Sequence, residues 1–323
     1  MQVLLTINTE VYPLAPNWQV SQLRLDLDRD IYGITAEGEF GLRRQLRTLQ
    51  QFQLHATFFV EALFASCPNV LPGALEAVVD LIQSAGQDVQ LHLHPEWVPL
   101  IPKLAHLHRP GAWRMTHYGE KEQLELIETG LENLERAGAK SVTAYRAGDF
   151  AANSDTLRAL ERAGVKIDSS YNYGYRRFSL IANGDEPYWQ PTTFGKVLEL
   201  PVSCYHDLAR HVRHAQICAI SHREMRHALE SARGASWSTF VIFSHTFEFL
   251  RNRRSTSKPV SLNGIALRRF EKLCAYLDAH RPEYQTLGIG QADLSVAAQN
   301  AEAISGKWMN TVGRYIEQAI ARF

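Results

Sequence analysis

The chain has 323 residues, of which 45% are hydrophobic and 21% are charged, with as many basic as acidic side chains. This composition is typical of a globular protein with a large core, arranged as one large α/β domain or two smaller ones. A net charge of zero gives no electrostatic reason to expect nucleic acid or an anionic membrane surface as a partner. No apolar run approaches the roughly 20 residues that cross a bilayer, so we predict no membrane span.

The chain begins with an apolar segment at residues 3–7 (VLLTI), which has the pattern of a buried strand. No basic stretch, long apolar segment or small-residue cleavage site comes before this strand, so the secretory-signal pattern is not found. We therefore predict a cytoplasmic location.

Strand-like and helix-like segments then alternate along the chain. The strand candidates are short apolar runs, often rich in β-branched and aromatic residues, at 3–8, 56–60, 89–94, 141–146, 165–168, 197–201, 240–244 and 284–288. The helix candidates carry apolar residues at helical spacing, at 41–52, 73–84, 120–137, 154–163, 223–232 and 266–279. About eight strands separated by helices predict a parallel sheet that is buried on both faces.

The number of strands and the chain length favour a closed or partly closed (β/α) barrel, with an open doubly wound sheet as the alternative. A glycine-rich phosphate loop after the first strand would favour the open sheet, and the sequence has none there. We assign the barrel to residues 1–290. Residues 291–323 are predicted to form C-terminal helices packed on its outside.

Polar side chains follow the apolar bodies of five predicted strands. In a parallel barrel, the carboxyl ends of the strands meet at one face, and reactive groups gather there. The residues at these ends carry carboxylate, imidazole or guanidinium groups, and they are Glu10, His92 and His94, Arg146 and Asp149, Asp168, and His245.

His92 and His94 lie at the end of the third predicted strand, immediately before Pro95. Residues i and i+2 of a strand point to the same face, so the two imidazoles are expected to project together. Pro95 cannot continue a central strand, which places the pair at the strand end. Two imidazoles in this position indicate a metal site rather than part of a hydrophobic core.

Six segments occur in the order of the motifs of polysaccharide deacetylases, the NodB-like enzymes of carbohydrate esterase family four. They are TINTE (6–10), ATFFVEALF (56–64), GQDVQLHLHPEW (86–97), YRAGDFAANSDTLRALERAGVKIDSSYN (145–172), LELP (198–201) and VIFSHTFEF (241–249). The resemblance covers roughly residues 1–290. It implies a deformed (β/α) barrel of about seven to eight strands, and metal-dependent removal of an N- or O-acyl group from a sugar.

The resemblance also implies roles for individual residues. Glu10, His92 and His94 match the metal ligands, with Glu96 as the alternative to His94, and the expected cofactor is a divalent ion, with zinc as the first candidate. Arg146 matches the arginine that orients the catalytic base, and His245 matches the histidine that protonates the leaving amine. The implied partner is an acylated sugar or a glycan precursor. Among loop aromatics, Trp97, Trp113 and Tyr173 are candidates for stacking on sugar rings.

Asn8 stands where the resemblance places an acidic general base. An asparagine side chain cannot accept a proton in that role. Three accounts are open: Glu10 or Asp149 serves as the base, a metal-activated hydroxide works more slowly with no protein base, or the chain is catalytically impaired. Two rival functions follow, a metal-independent, allantoinase-like hydrolase of C–N bonds and a non-catalytic carbohydrate-binding relative.

Overall fold

The computed structural model describes residues 1–11, 19–181, 187–207, 211–255, 257–294 and 301–320. The strands in these ranges are β1 (Gln2–Thr9), β2 (Ile34–Thr35), β3 (Gly38–Glu39), β4 (Ala56–Glu61), β5 (Asp88–Leu93), β6 (Ala144–Ala147), β7 (Ile167–Asp168), β8 (Thr192–Phe194), β9 (Val197–Glu199), β10 (Cys204–His206), β11 (Val212–His214), β12 (Thr239–His245), β13 (Leu250–Arg251), β14 (Ser261–Leu262) and β15 (Gln285–Thr286). The α-helices are α1 (Leu23–Asp26), α2 (Leu42–Gln51), α3 (Ala74–Ser84), α4 (Glu120–Arg136), α5 (Ser154–Ala163), α6 (His222–Gly234), α7 (Gly264–Ala279) and α8 (Trp308–Ile320).

Nine of the described strands form one sheet, in the order β12-β1-β4-β5-β6-β7-β9-β8, with β15 also paired to β1. Neighbouring strands are parallel except for β8 and β9. From β1 to β9 the strands follow chain order without the reversal that marks a doubly wound sheet. The sheet curls into a half-barrel, so the prediction of a deformed (β/α) barrel is confirmed.

Alternation along the strands separates two cores. On β1, Val3, Leu5 and Ile7 join the larger core, which also contains the buried faces of the helices. Leu4 joins a smaller core with Phe59 of β4 and other alternate strand residues. Because side chains on a strand alternate between its faces, Asn8 projects to the same side as Leu4. The inner face is thus apolar near the amino ends of the strands and polar near their carboxyl ends.

The register of the parallel strands brings these carboxyl ends to one level. Asn8 pairs with His245 across β1 and β12, and His92 pairs with Arg146 across β5 and β6. The polar side chains that come late in each strand therefore face one another across the top of the half-barrel.

In the described part of residues 291–323, α8 is the helix, and it contacts the barrel through a buried arginine. The Arg314 guanidinium lies 3.0 Å from Glu224 on α6 and 3.4 Å from Asp207. Residues 295–300 and 321–323 lie outside the described ranges, and the division after residue 290 stays a prediction. None of the helices in the described ranges combines the length and the apolarity that a membrane crossing needs.

Candidate active site

Glu10, His92 and His94 converge at the carboxyl end of the sheet. Glu10 Oε2 lies 2.7 Å from His92 Nε2 and 2.8 Å from His94 Nε2. One ligand atom from each residue falls within 4.8 Å of the other two, and all three residues are buried. Two imidazole nitrogens and a carboxylate oxygen form a donor set that binds divalent metals and leaves positions free for water and substrate.

The hydrogen bonds around the two imidazoles fit a metal site. His92 Nδ1 lies 2.7 Å from the Arg146 carbonyl oxygen, which can only accept, so Nδ1 carries the proton. A neutral His92 therefore presents the lone pair of Nε2 to the Glu10 carboxylate, and two acceptors at this distance require a proton or a cation between them. His94 Nδ1 lies 3.2 Å from Glu96 Oε2, an arrangement that metal-binding histidines share.

The three residues shift one another's pKa values. Burial on its own raises the pKa of Glu10, but the charge of His94 and the close contacts with both histidine rings lower this pKa well below its usual value. Burial lowers the pKa of His92. Burial also acts downward on His94, yet the charges of Glu96 and Glu10 raise its pKa well above the usual range. A metal ion entering the site would displace the His94 proton.

The ring of His94 lies directly against the backbone of Gly148, where there is no room for a side chain. A Cβ atom at position 148 would lie 2.6 Å from His94 Nδ1 and 2.7 Å from its Cε1, closer than real Cβ atoms approach.

We expect Gly148→Ala to tilt this ring and weaken metal binding about ten- to a hundredfold, the usual cost of losing an outer support of a ligand. Calorimetric titration with Zn²⁺ measures the change. Gly234→Ala, at an exposed position with open space around the new Cβ, is the matched control. Equal affinities would contradict the role given to Gly148.

His245 lies beside this cluster, at the end of β12. Its Nε2 atom is 3.9 Å from Glu10 Oε1, and its Nδ1 atom is 3.1 Å from Glu248 Oε1. The Gln45 side-chain amide donates to the His245 carbonyl oxygen at 2.9 Å, which ties the strand end to α2. The imidazole therefore has one nitrogen held by a carboxylate and the other directed toward the Glu10 side of the site.

Arg146 is fully buried under the site and connects β6 to β1. Its guanidinium donates to Asn8 Oδ1 at 3.0 Å, to Thr6 Oγ1 at 2.9 Å and to both oxygens of Ser169. These hydrogen bonds all go to neutral oxygens. Burial lowers the pKa of Arg146 to about 9, and the charges of Asp168 and Glu199 only partly oppose this.

Comparison with solved structures identifies the fold. A protein from Mycobacterium smegmatis, described provisionally as a polysaccharide deacetylase, matches with a TM-score of 0.54 and 20% identity, over 90% of this chain and 87% of that one. The fold is that of the polysaccharide deacetylases. A family 4 carbohydrate esterase from Streptomyces lividans matches with a TM-score of 0.43 and 12% identity, over 94% of this chain and 97% of that one. A family 4 pseudoenzyme from Bacillus anthracis matches with a TM-score of 0.41 and 10% identity, over 94% and 69%. No protein-family model and no curated protein matches the chain.

Asp149 and Trp97 were both candidates for the site, and the structure gives each of them other surroundings than a substrate contact would need. The Asp149 carboxylate pairs with Arg114 at 3.0 Å, with 41% of its side chain exposed. Asp149 has a left-handed backbone, with φ of 54°, which turns the chain directly after Gly148. Trp97 is fully buried, so the prediction that it stacks on a sugar ring is wrong. Trp113, by contrast, is 53% exposed.

Glu61, at the end of β4, is a residue that the sequence analysis missed. One of its carboxylate oxygens accepts the backbone N–H of His94, and the other accepts that of Leu63 at 2.6 Å. Burial raises the pKa of Glu61 to about 8. Because it fixes the backbone of His94, Glu61 helps to set the position of a candidate ligand. Its only sequence signal was a carboxylate at the end of an apolar strand.

A second missed residue, Glu199, forms a buried carboxyl pair with Asp168 in the deacetylase fold. The two residues face each other across β7 and β9, both side chains are fully buried, and each carboxyl group has one oxygen without a hydrogen-bond partner. Burial raises the pKa of Asp168 to about 6, and burial together with the charge of Asp168 raises that of Glu199 well above its usual value. The folded protein therefore keeps protons on this pair that the unfolded chain releases near pH 4.

This pair should make stability depend on pH. Where the folded state binds more protons, the free energy of unfolding falls as pH rises, here from about pH 4 upward through pH 6. In Glu199→Gln, an amide donates to Asp168 at every pH, so we expect a weaker decline between pH 5 and pH 8. Urea unfolding of both proteins at four pH values measures this difference. Other titrating groups contribute equally to the two curves, so their effect cancels. Parallel curves would show that the pair holds no extra proton.

Proposed function

We propose that the chain is a metal-dependent hydrolase that removes an N- or O-acetyl group from a sugar or a polysaccharide precursor. The observation that carries this proposal is the convergence of Glu10, His92 and His94 on one position, with His245 beside them. Deacetylation needs a strong nucleophile, stabilisation of a tetrahedral oxyanion and a proton for the leaving group, and this set of side chains addresses all three.

The candidate ligands would hold a divalent ion, with zinc as the first candidate because the donors are imidazole and carboxylate. Such an ion, when bound, polarises the acyl carbonyl and lowers the pKa of water, toward about 7 for zinc. His92 and His94 keep their Nε2 atoms directed at this position through the hydrogen bonds of their Nδ1 atoms.

The remaining residues would bind and move protons. His245 Nε2 faces the Glu10 side of the site and can donate a proton to the departing nitrogen or oxygen. Asn8 is held by Arg146 and can orient a water molecule or the substrate, but it cannot take a proton. Asp149, engaged by Arg114, is a poor candidate for the missing base.

The partner would be an acylated sugar or a glycan precursor, and a cytoplasmic location stays part of the proposal. The test is to purify the protein, measure bound zinc, cobalt and nickel by mass spectrometry, and assay acetate release from an N-acetylglucosamine oligomer and an O-acetylated xylose oligomer. We expect stoichiometric metal, and acetate release that a chelator abolishes and added metal restores. His92→Ala should lack both.

Other outcomes would favour the rival functions. Hydrolysis of allantoin that survives chelation and His92→Ala would favour the metal-independent hydrolase. Binding of sugar oligomers without turnover, unchanged by Asn8→Asp, would favour a non-catalytic carbohydrate-binding protein. Absence of both metal and turnover, even after Asn8→Asp, would refute the proposal.

A further inference from the structure

Glu248 lies three residues after His245, in the turn that follows β12, and it is 5% exposed. Its Oε1 atom accepts a hydrogen bond from His245 Nδ1 at 3.1 Å and another from the side-chain amide of Gln216. Its Oε2 atom accepts the backbone N–H of Cys218 at 3.1 Å. Three N–H donors thus converge on one carboxylate, which satisfies them only as an acceptor.

The network continues beyond Glu248 to the end of β11. Gln216 donates through Nε2 to Glu248, so its Oε1 atom must accept, and it receives the N–H of His214 Nε2 at 3.1 Å. Burial lowers the pKa of His214 to about 4, which leaves this ring neutral with a single N–H to give. The orientation of each group in the series His214, Gln216, Glu248 and His245 is therefore determined by its neighbour.

We propose that Glu248 is the positioning residue of the site: it keeps one ring proton of His245 on Nδ1, so that the proton given to the leaving group is the one that the doubly protonated ring carries on Nε2, directed at the position of the scissile bond. This inference rests on the proposed function. It extends that function by naming a carboxylate, supplied by the turn after the histidine's own strand, as the group that orients the candidate general acid.

The geometry explains why such a group is needed. His245 stands at a strand end with 18% of its side chain exposed, and its ring stacks on that of Phe247, with centroids 4.7 Å apart. Stacking fixes the plane of the ring but allows it to flip by 180°, which would put Cδ2 in the place of Nδ1 and Cε1 in the place of Nε2. The Glu248 carboxylate opposes that flip, because only Nδ1–H can satisfy it while Nε2 faces Glu10 at 3.9 Å.

The first test reads the tautomer directly and needs no substrate. In protein labelled with ¹⁵N-histidine, the ring signals of His245 are assigned by comparison with His245→Gln. At a pH at which the ring is neutral, we expect wild type to carry its single ring proton on Nδ1, and we expect Glu248→Ala to move that proton wholly or partly to Nε2. An unchanged Nδ1–H tautomer in Glu248→Ala would overturn the proposal. If this variant does not fold, Glu248→Gln, which keeps the shape of the side chain but replaces the carboxylate with a weaker, neutral acceptor, should show the same shift in weaker form.

The second test is a double-mutant cycle on acetate release from the N-acetylglucosamine oligomer with the metal-loaded protein. We expect Glu248→Gln to lower kcat roughly ten- to a hundredfold with little change in KM, since the gain from a positioned general acid is about 10²–10⁴. In the His245→Gln background the same substitution should cost almost nothing. Hydrolysis of 4-nitrophenyl acetate, whose leaving group needs no proton, should fall much less.

Glu230→Gln, on the exposed side of α6, is the matched control and should leave both substrates unaffected. Additive losses in the cycle, or equal losses on the two substrates, would contradict a positioning role. If wild type releases no acetate, the proposed function fails, and the tautomer measurement still decides whether Glu248 orients His245.

Discussion

Replacing Glu10 with glutamine is expected to lower the affinity for Zn²⁺ by more than about a hundredfold and to abolish acetate release at limiting metal. Glu10 supplies the anionic donor of the cluster, and its Oε2 atom lies within 2.8 Å of both histidine Nε2 atoms. A glutamine side chain is neutral. If it directs its oxygen to the metal, its NH₂ group is left in a buried position. Losing even an outer support of a ligand costs ten- to a hundredfold, so losing a ligand should cost more.

Glu96→Gln is the matched control for this substitution. Glu96 contacts His94 on its outer nitrogen, Nδ1, and does not face the metal position. We expect it to weaken Zn²⁺ binding by about tenfold, as removal of an outer carboxylate usually does. Calorimetric titration at one pH and ionic strength compares the two. If Glu10→Gln binds Zn²⁺ as well as Glu96→Gln does, Glu10 is not a ligand.

The sequence was sufficient to predict the fold because the signals that define it are local. The alternation of short apolar runs with amphipathic segments gave the strands of the barrel, and β1, β4 and β12 lie within one residue of their predicted ends. Parallel strands then place their carboxyl ends together, which is why Glu10, His92 and His245 could be expected to meet. Their roles in binding metal or moving protons stay predictions.

The carboxylates that support the site could not be predicted in the same way. Glu61 and Glu199 stand in or beside apolar strands, where nothing local distinguishes a buried acceptor of hydrogen bonds from an exposed acid. Glu248 is held by donors about 30 residues earlier in the chain, the Gln216 side chain and the Cys218 backbone, and only the folded structure brings them to it. Asp149 follows a strand end and was a candidate for the catalytic base, but its left-handed backbone conformation directs its carboxylate to an ion pair with Arg114.

The surroundings of Asn8 depend on its place at the end of β1 and on its contact with Arg146. The chain keeps the buried arginine that would orient a carboxylate at position 8, and it places an amide oxygen there at 3.0 Å. A fully buried guanidinium bonded only to neutral oxygens is costly, since a buried charge is stabilised chiefly by an opposite charge in contact. The surroundings of position 8 are therefore already suited to an aspartate.

We expect Asn8→Asp to raise kcat for acetate release by about 10²–10⁴-fold in the metal-loaded protein, the usual contribution of a positioned general base. The new carboxylate would form a charge-assisted hydrogen bond with Arg146 and would be two residues from Glu10 on the same face of the chain. Because Glu10 is also anionic, the two carboxylates repel one another until a cation binds. Thermal unfolding should therefore show a larger stabilisation by added Zn²⁺ in Asn8→Asp than in wild type.

Asn8→Ser separates the effect of a carboxylate from the effect of losing the asparagine. Serine can still accept a hydrogen bond from Arg146 but cannot serve as a base near neutral pH, so this variant should show no gain in rate. A gain in Asn8→Asp alone would mean that the natural chain lacks a base at the position that Arg146 orients. Equal rates in Asn8→Asp and wild type, with metal bound in both, would mean that proton transfer has been taken over elsewhere, and His245, with its Nε2 atom on the Glu10 side, would be the group to examine.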